Sequence, residues 1–177
     1  MPPPPTVSQA APRSPAQALV GRLKSRNQTL ALAESCTCGM AAALIGGVPG
    51  ASTVFCGSVV TYRPSAKHQW LGVSEAAITR YTAESQETTL AMAGGLLETT
   101  MEADFAAAIT GHLGPEAPPD KDGVVHVALL SRAVAANARV WKESFRLQRA
   151  TRVDRQMEAA ERWLDWISKK IGGSPLK

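Results

Sequence analysis

Short apolar runs alternate along this chain with segments of helical periodicity, and that alternation restricts it to a sheet with helices packed on it. The runs 29–33 and 105–110 are continuously apolar, and 52–62 is rich in Val, Thr and aromatic residues. All three read as strands, 29–33 and 105–110 buried ones. Helical spacing covers 17–26 (Ala18, Leu19, Val20, Leu23), with Asn27 and Gln28 as a stop. It returns over 39–45, closed by Gly46-Gly47 and Pro49-Gly50, over 65–71, and over 84–101, where Leu90, Ala93, Leu97 and Met101 share a face. Gly94-Gly95 inside that last segment costs helix propensity and points to close packing. A Gly/Pro loop over 111–122 precedes a predicted hairpin, 124–130 with 140–147. The closing segment 152–171 is helical, with Trp163, Leu164, Trp166 and Ile167 facing inward. Strand–helix alternation followed by a late hairpin predicts an α/β fold. Its architecture is a three-layer α/β/α sandwich with a mixed, mostly parallel sheet of about five strands.

With 177 residues, 45% of them hydrophobic, the chain suits one domain with a real core, placed at 15–172. Segment 1–14, mainly Pro, Ala, Ser and Thr, is expected to be a disordered, polyproline-like tail. The N-terminus lacks the basic and apolar regions of a secretory signal, and no run approaches a membrane span. Cys36, Cys38 and Cys56 are too few and too clustered for a disulfide framework. Reduced thiols in a cytoplasmic protein are the expectation. The net charge of +4 is spread out, but Arg146, Arg149, Arg152 and Arg155 cluster late. Scarce aromatics and the lack of a binding motif favour a solvated helix face with one or two anion contacts over a nucleic-acid stripe. Neither nucleic acid nor membrane is an expected partner.

Ligands in such sheets bind at the carboxyl ends of strands. Three hydroxyls stand at three predicted strand ends: Ser35, Tyr62 and Thr110. Ser35 lies in "AESCTCGM", where a metal clip, a redox pair and a nucleophile compete. Structural zinc wants four ligands in a repeated spacing, and no His lies at ligand spacing from Cys36 and Cys38, so no metal is expected. One residue between the two cysteines is a weak redox signal, and small packing residues in a tight turn is the simpler reading. Ser35 could cap the following helix. It could also be a nucleophile, with the N–H groups of Cys36, Thr37, Cys38 and Gly39 free at the helix start to hold an oxyanion. A serine nucleophile needs a base. His112, in the loop after Thr110, is better placed than His68 or His126. A lysine with a lowered pKa is the other option, although Lys67 by itself reads as a solvated helix residue. A Ser-Tyr-Lys oxidoreductase is rejected, because Pro64 separates Tyr62 from Lys67 and no Gly-rich dinucleotide turn opens the chain.

Four stretches carry a family resemblance: "ALAESCTCGMAAALIGGVPGAS", "GSVVTYRPSAKHQWLGV", "AAAITGHLGP" and the Arg-rich closing helix. Over about 15–171 the chain resembles the competence-damage protein CinA C-terminal domain family, which includes nicotinamide mononucleotide deamidases. The resemblance implies a mixed-sheet α/β/α fold and hydrolysis of the carboxamide of nicotinamide mononucleotide to nicotinate mononucleotide and ammonia, without cofactor. It makes Ser35 the nucleophile, Lys67 its base and Tyr62 an assisting residue. Cys36, Thr37, Gly39, Thr110 and Gly111 would line the substrate site. Arg152 would complete it, with Arg149 and Arg155 as alternatives. The partner implied is a small-molecule nucleotide, and a homodimer is an option. The competing readings are a non-catalytic nucleotide-binding module and an amidase with a drifted substrate.

Departures from the family pattern bear on substrate. Cys38 stands where the family has Gly, and a Cβ there would narrow the pocket mouth or demand a different backbone angle. His112 replaces an aliphatic residue, Val124 replaces a threonine, and the loop "GPEAPPDKDG" is poor in glycine. The nucleotide-processing domain of larger family members finds no counterpart here, so its pyrophosphatase activity is not expected.

Overall fold

The computed structural model describes residues 14–132 and 139–173. The predicted tail, except Ser14, therefore lies outside the described residues. Ser14 itself belongs to the fold: its hydroxyl accepts from the Gln17 N–H and its own N–H donates to the Gln17 side chain. This capping box starts α1 (Pro15–Arg26) two residues earlier than periodicity suggests, and Asn27 closes it at a positive φ of 50°.

The remaining elements are β1 (Leu30–Glu34), α2 (Met40–Gly46), β2 (Phe55–Val60), α3 (Pro64–Leu71), α4 (Glu75–Tyr81), α5 (Gln86–Thr99), β3 (Phe105–Gly111), β4 (Val124–Ser131), β5 (Val140–Arg146) and α6 (Arg152–Gly172). The sheet order is β2-β1-β3-β4-β5. β1 pairs in parallel with β2 and β3, and β4 runs antiparallel to both β3 and β5. Four of the five strands thus point the same way, as the predicted mixed, mostly parallel sheet requires. Strand β2 is shorter than the 52–62 expected, because 51–53 form a single 3₁₀ turn instead.

Period-two alternation distributes the two faces unequally. Leu30, Leu32, Phe105, Ala107 and Ile109 face α1, α2 and α6, together with Leu19, Leu23, Trp163, Leu164 and Ile167. The other face of the central strands is nearly all alanine: Ala31 and Ala33 on β1, Ala106 and Ala108 on β3, and Ala128 on β4. Small residues there let α5 lie close through Met92, Ala93 and Leu96. Gly95 serves that closeness, since a Cβ on it would fall 1.8 Å from the Leu71 carbonyl oxygen at the end of α3. The buried stripe of α5 differs from the expected one. It consists of Thr88, Thr89, Met92, Ala93 and Leu96, while Met101 lies beyond the helix end and is 76% exposed.

Topology also gathers the elements that matter for function. β1, β2 and β3 end at one edge of the molecule. β4 begins there, so the loop 112–123 roofs that edge. β5 ends there, so α6 begins there too.

Candidate active site

The alternation that sorts the core sorts the end of β1 as well. Glu34 shares the face of Leu30 and Leu32 and turns toward α2; Ser35 takes the other face, toward α3. Glu34 is fully buried. Its carboxylate accepts from the N–H groups of Gly39, Ala41 and Ala42 at 2.9, 3.2 and 2.9 Å, and from the Ser58 hydroxyl. It therefore occupies the start of α2, where orphan N–H groups and the helix dipole favour an anion. This changes the expected oxyanion site. The Gly39 N–H is engaged by Glu34, and the Cys38 N–H donates to the Ser35 carbonyl. Among the described residues, Cys36 and Thr37 keep N–H groups with no acceptor in the chain. Gly39 adopts φ +91°, its N–H is taken by Glu34, and it does not line the cavity onto which Ser35 opens.

On the other face, Lys67 is 1% exposed. It enters α3 through Pro64, which opens the helix at a position that needs no N–H. Its Nζ donates to Ser35 Oγ at 2.7 Å and to the Thr61 carbonyl at 3.0 Å. Burial disfavours the ammonium and lowers its pKa from 10.5 to about 8, against smaller opposing effects of Cys36 and Glu84. The expected solvated helix lysine is in fact one of the most deeply buried side chains in the fold. The hydroxyl of Ser35 is bonded to Lys67 and not to His112, which lines the same cavity.

Ser35 opens onto a cavity of about 410 Å³ also lined by Cys36, Tyr62, Glu84, Gly111 to Ala117 and Arg152. Arg152 resolves the choice among the late arginines. Its guanidinium donates to the Gly114 carbonyl and, at 2.8 Å, to the Tyr62 hydroxyl. Arg149 instead pairs with Glu161, and Arg155 clamps Asp122 at 2.7 and 3.0 Å, fixing the roof loop. Tyr62 is 53% exposed and is bonded to Arg152 rather than to Ser35. Thr110 lies below the cavity: it is wholly buried, with its hydroxyl 2.6 Å from that of Thr89. It supports the floor and does not line the cavity. Gly111 is at the surface of the cavity, with φ +151°, and a Cβ there would strike the Val124 carbonyl at 2.4 Å.

The cysteines divide. Cys36 lines the cavity, yet burial pushes its thiol pKa up to about 12, so it stays protonated and poorly nucleophilic. Cys38 is exposed, not a packing residue, and adopts φ +52°. It does not line the cavity, so the departure from glycine costs backbone strain and leaves the pocket mouth open. Among the described residues no group of three or more His, Cys, Asp or Glu is placed to hold a metal ion. No helix among them is long and apolar enough to cross a membrane.

Sequence reasoning missed two residues. Glu34 carried a signal, a carboxylate closing an apolar run just before a small-residue helix. Glu84 carried none, because only the fold brings the start of α5 beside Ser35.

An α/β/α sandwich with a buried, hydrogen-bonded serine and lysine at its strand ends is the class of domain seen here, and comparison narrows it. A profile of the CinA C-terminal domain matches residues 13–171, and the chain belongs to that family. The CinA-like protein of Thermotoga neapolitana is 42% identical over 118 residues, covering 66% of this chain. That of Endomicrobium trichonymphae is 35% identical over 157 residues, covering 86% of this chain. The chain spans 29% and 35% of the length of these two relatives. Among solved structures, the competence/damage inducible protein CihA from Agrobacterium tumefaciens superposes with a TM-score of 0.81 at 29% identity, over 89% of this chain and 93% of that one.

Proposed function

We propose that the domain hydrolyses the carboxamide of nicotinamide mononucleotide, with Ser35 as nucleophile and Lys67 as general base. The observation that carries this reading is the 2.7 Å contact between Lys67 Nζ and Ser35 Oγ in a site dry enough to bring the amine to about 8. At pH 7.5 roughly a quarter of such a lysine is neutral. In that form the contact runs the other way, the serine hydroxyl donating to the amine.

Ser35 Oγ then attacks the amide carbon as Lys67 takes its proton. The Cys36 N–H, on the cavity wall, would meet the developing oxyanion, with the Thr37 N–H just behind the wall as a second donor, each worth on the order of 3 kcal/mol in the transition state. The lysine ammonium protonates the departing nitrogen, ammonia leaves, and water hydrolyses the acyl-enzyme by the reverse proton path. No step calls for a metal or cofactor. Arg152 uses two of its five N–H donors to join Tyr62 to Gly114, so the others can meet a phosphate at the cavity rim.

The test is ammonia release by the purified protein across a panel of nicotinamide nucleotides. Release from the mononucleotide, lost by about 10³-fold or more in Ser35→Ala, is the expected result. Full activity in that variant would remove the serine from the mechanism. Absence of release from every nucleotide in the wild type would leave a binding module or a different amide.

A further inference from the structure

Two charged side chains reach the cavity from opposite layers of the fold. Arg152 comes from α6, and Glu84 comes from the residue pair before α5. Arg152 is held by Tyr62 and Gly114. The Glu84 carboxylate is half-buried, and no hydrogen bond or ion pair joins it to another described residue. A half-buried carboxylate compensated only through space by the Lys67 ammonium has room for a direct partner, which a cationic ligand would supply. Beside it stands His112, and these two residues also form the wall shared with an adjoining cavity of about 340 Å³. The other acid on the main cavity, Glu116, is an exposed residue of the roof loop, where water screens it. Glu84 is also near enough to Lys67 for its charge to act on the ammonium.

We infer that Glu84 is a specificity residue that selects substrates whose ring next to the scissile amide is cationic. The inference rests on the function proposed above, because a pyridinium ring attached to the carboxamide carbon would lie beside Ser35. Glu84 then faces the ring cation and Arg152 the anionic group, so the cavity is complementary to a ligand carrying both charges. A neutral dihydropyridine of the same shape would leave Glu84 desolvated and unpaired.

Two measurements separate this inference from the parent reading. In the first, kcat/KM is compared for nicotinamide mononucleotide and its reduced, neutral-ring form. The wild type should prefer the cation by about tenfold or more. Glu84→Gln should lose most of that preference by slowing the cationic substrate alone, and Glu84→Lys should invert it. The acid limb of the Glu84→Gln pH profile should also move to lower pH, because removing the carboxylate makes Lys67 easier to deprotonate. Burial, the main cause of the lowered lysine pKa, is unchanged by that substitution, and the Cys36 thiol stays protonated over this range, which leaves Glu84 as the opposing charge. In the second, binding of 1-methylnicotinamide cation and of neutral nicotinamide to Ser35→Ala protein is followed by titration calorimetry, which needs no turnover. Tighter binding of the cation, lost on adding Glu84→Gln, supports the inference even if no nucleotide is hydrolysed. Equal binding of the two probes, or a preference that survives Glu84→Gln, overturns it.

Discussion

Glu34 and Lys67 are both ionisable and both buried, one next to Ser35 in the chain and the other bonded to its hydroxyl, yet the protein treats them differently. Glu34 accepts from four donors, three of them backbone N–H groups at the start of α2. Lys67 has two acceptors, neither of them charged. The carboxylate is fully compensated and serves architecture: it holds the turn that carries Ser35. The amine is under-compensated and its ammonium is disfavoured, a deficit that the proposed role as proton acceptor would use. Burial alone does not mark a functional charge. Burial with incomplete compensation does.

Replacing each group should therefore fail in a different currency. The largest effect expected is on turnover: Lys67→Met should reduce ammonia release by about 10³-fold or more without lowering the thermal midpoint. Moving the amine from 10.5 to about 8 corresponds to about 3 kcal/mol of unfavourable charge burial at neutral pH, which methionine removes. A marked loss of stability in that variant would place Lys67 with the structural residues. Glu34→Ala should do the opposite, costing about 3 kcal/mol in denaturant unfolding by leaving buried N–H donors unpaired. Glu34→Gln should cost less, since one acceptor oxygen remains.

A smaller effect is expected from pH. The rate should climb about tenfold per unit below pH 8 and level off above it, as Lys67 loses its proton. Stability carries the matching sign. The folded pKa lies below the unfolded value of 10.5, so the unfolded chain binds the proton first as pH falls. The Lys67 contribution to stability should decline between about pH 10.5 and 8 and stay flat below. In Lys67→Met that slope should vanish. The smallest effect belongs to Cys38→Gly, which relieves the positive φ but frees the unfolded chain. A gain within about 1 kcal/mol with unchanged KM is expected; a shifted KM would return Cys38 to the pocket.

Much of the scaffold was legible because packing repeats along the chain. Leu19 and Leu23, the apolar runs of β1 and β3, and the Trp163–Ile167 stripe each declare a buried face by their spacing. α4 was not legible: it has seven residues and buries none of them, so no periodicity marks it. Met101 misled because a spacing pattern does not say where its helix stops. The site was legible in part. Ser35 announced itself by falling between a strand and a helix. Lys67 and Arg152 were named only through the family resemblance, and Glu84 not at all, since nothing local distinguishes them from surface charges.

The sequence by itself determined the layers, the strand set and the end of the sheet where chemistry can sit, because those follow from periodicity and chirality of short segments. Strand alternation sends Glu34 and Ser35, neighbours in the chain, to opposite layers; tertiary structure alone decided what each meets there. It also decided that α3, lying against α5, buries Lys67 against the serine. Charge compensation depends on donors and acceptors drawn from distant segments, and no single stretch of chain encodes it.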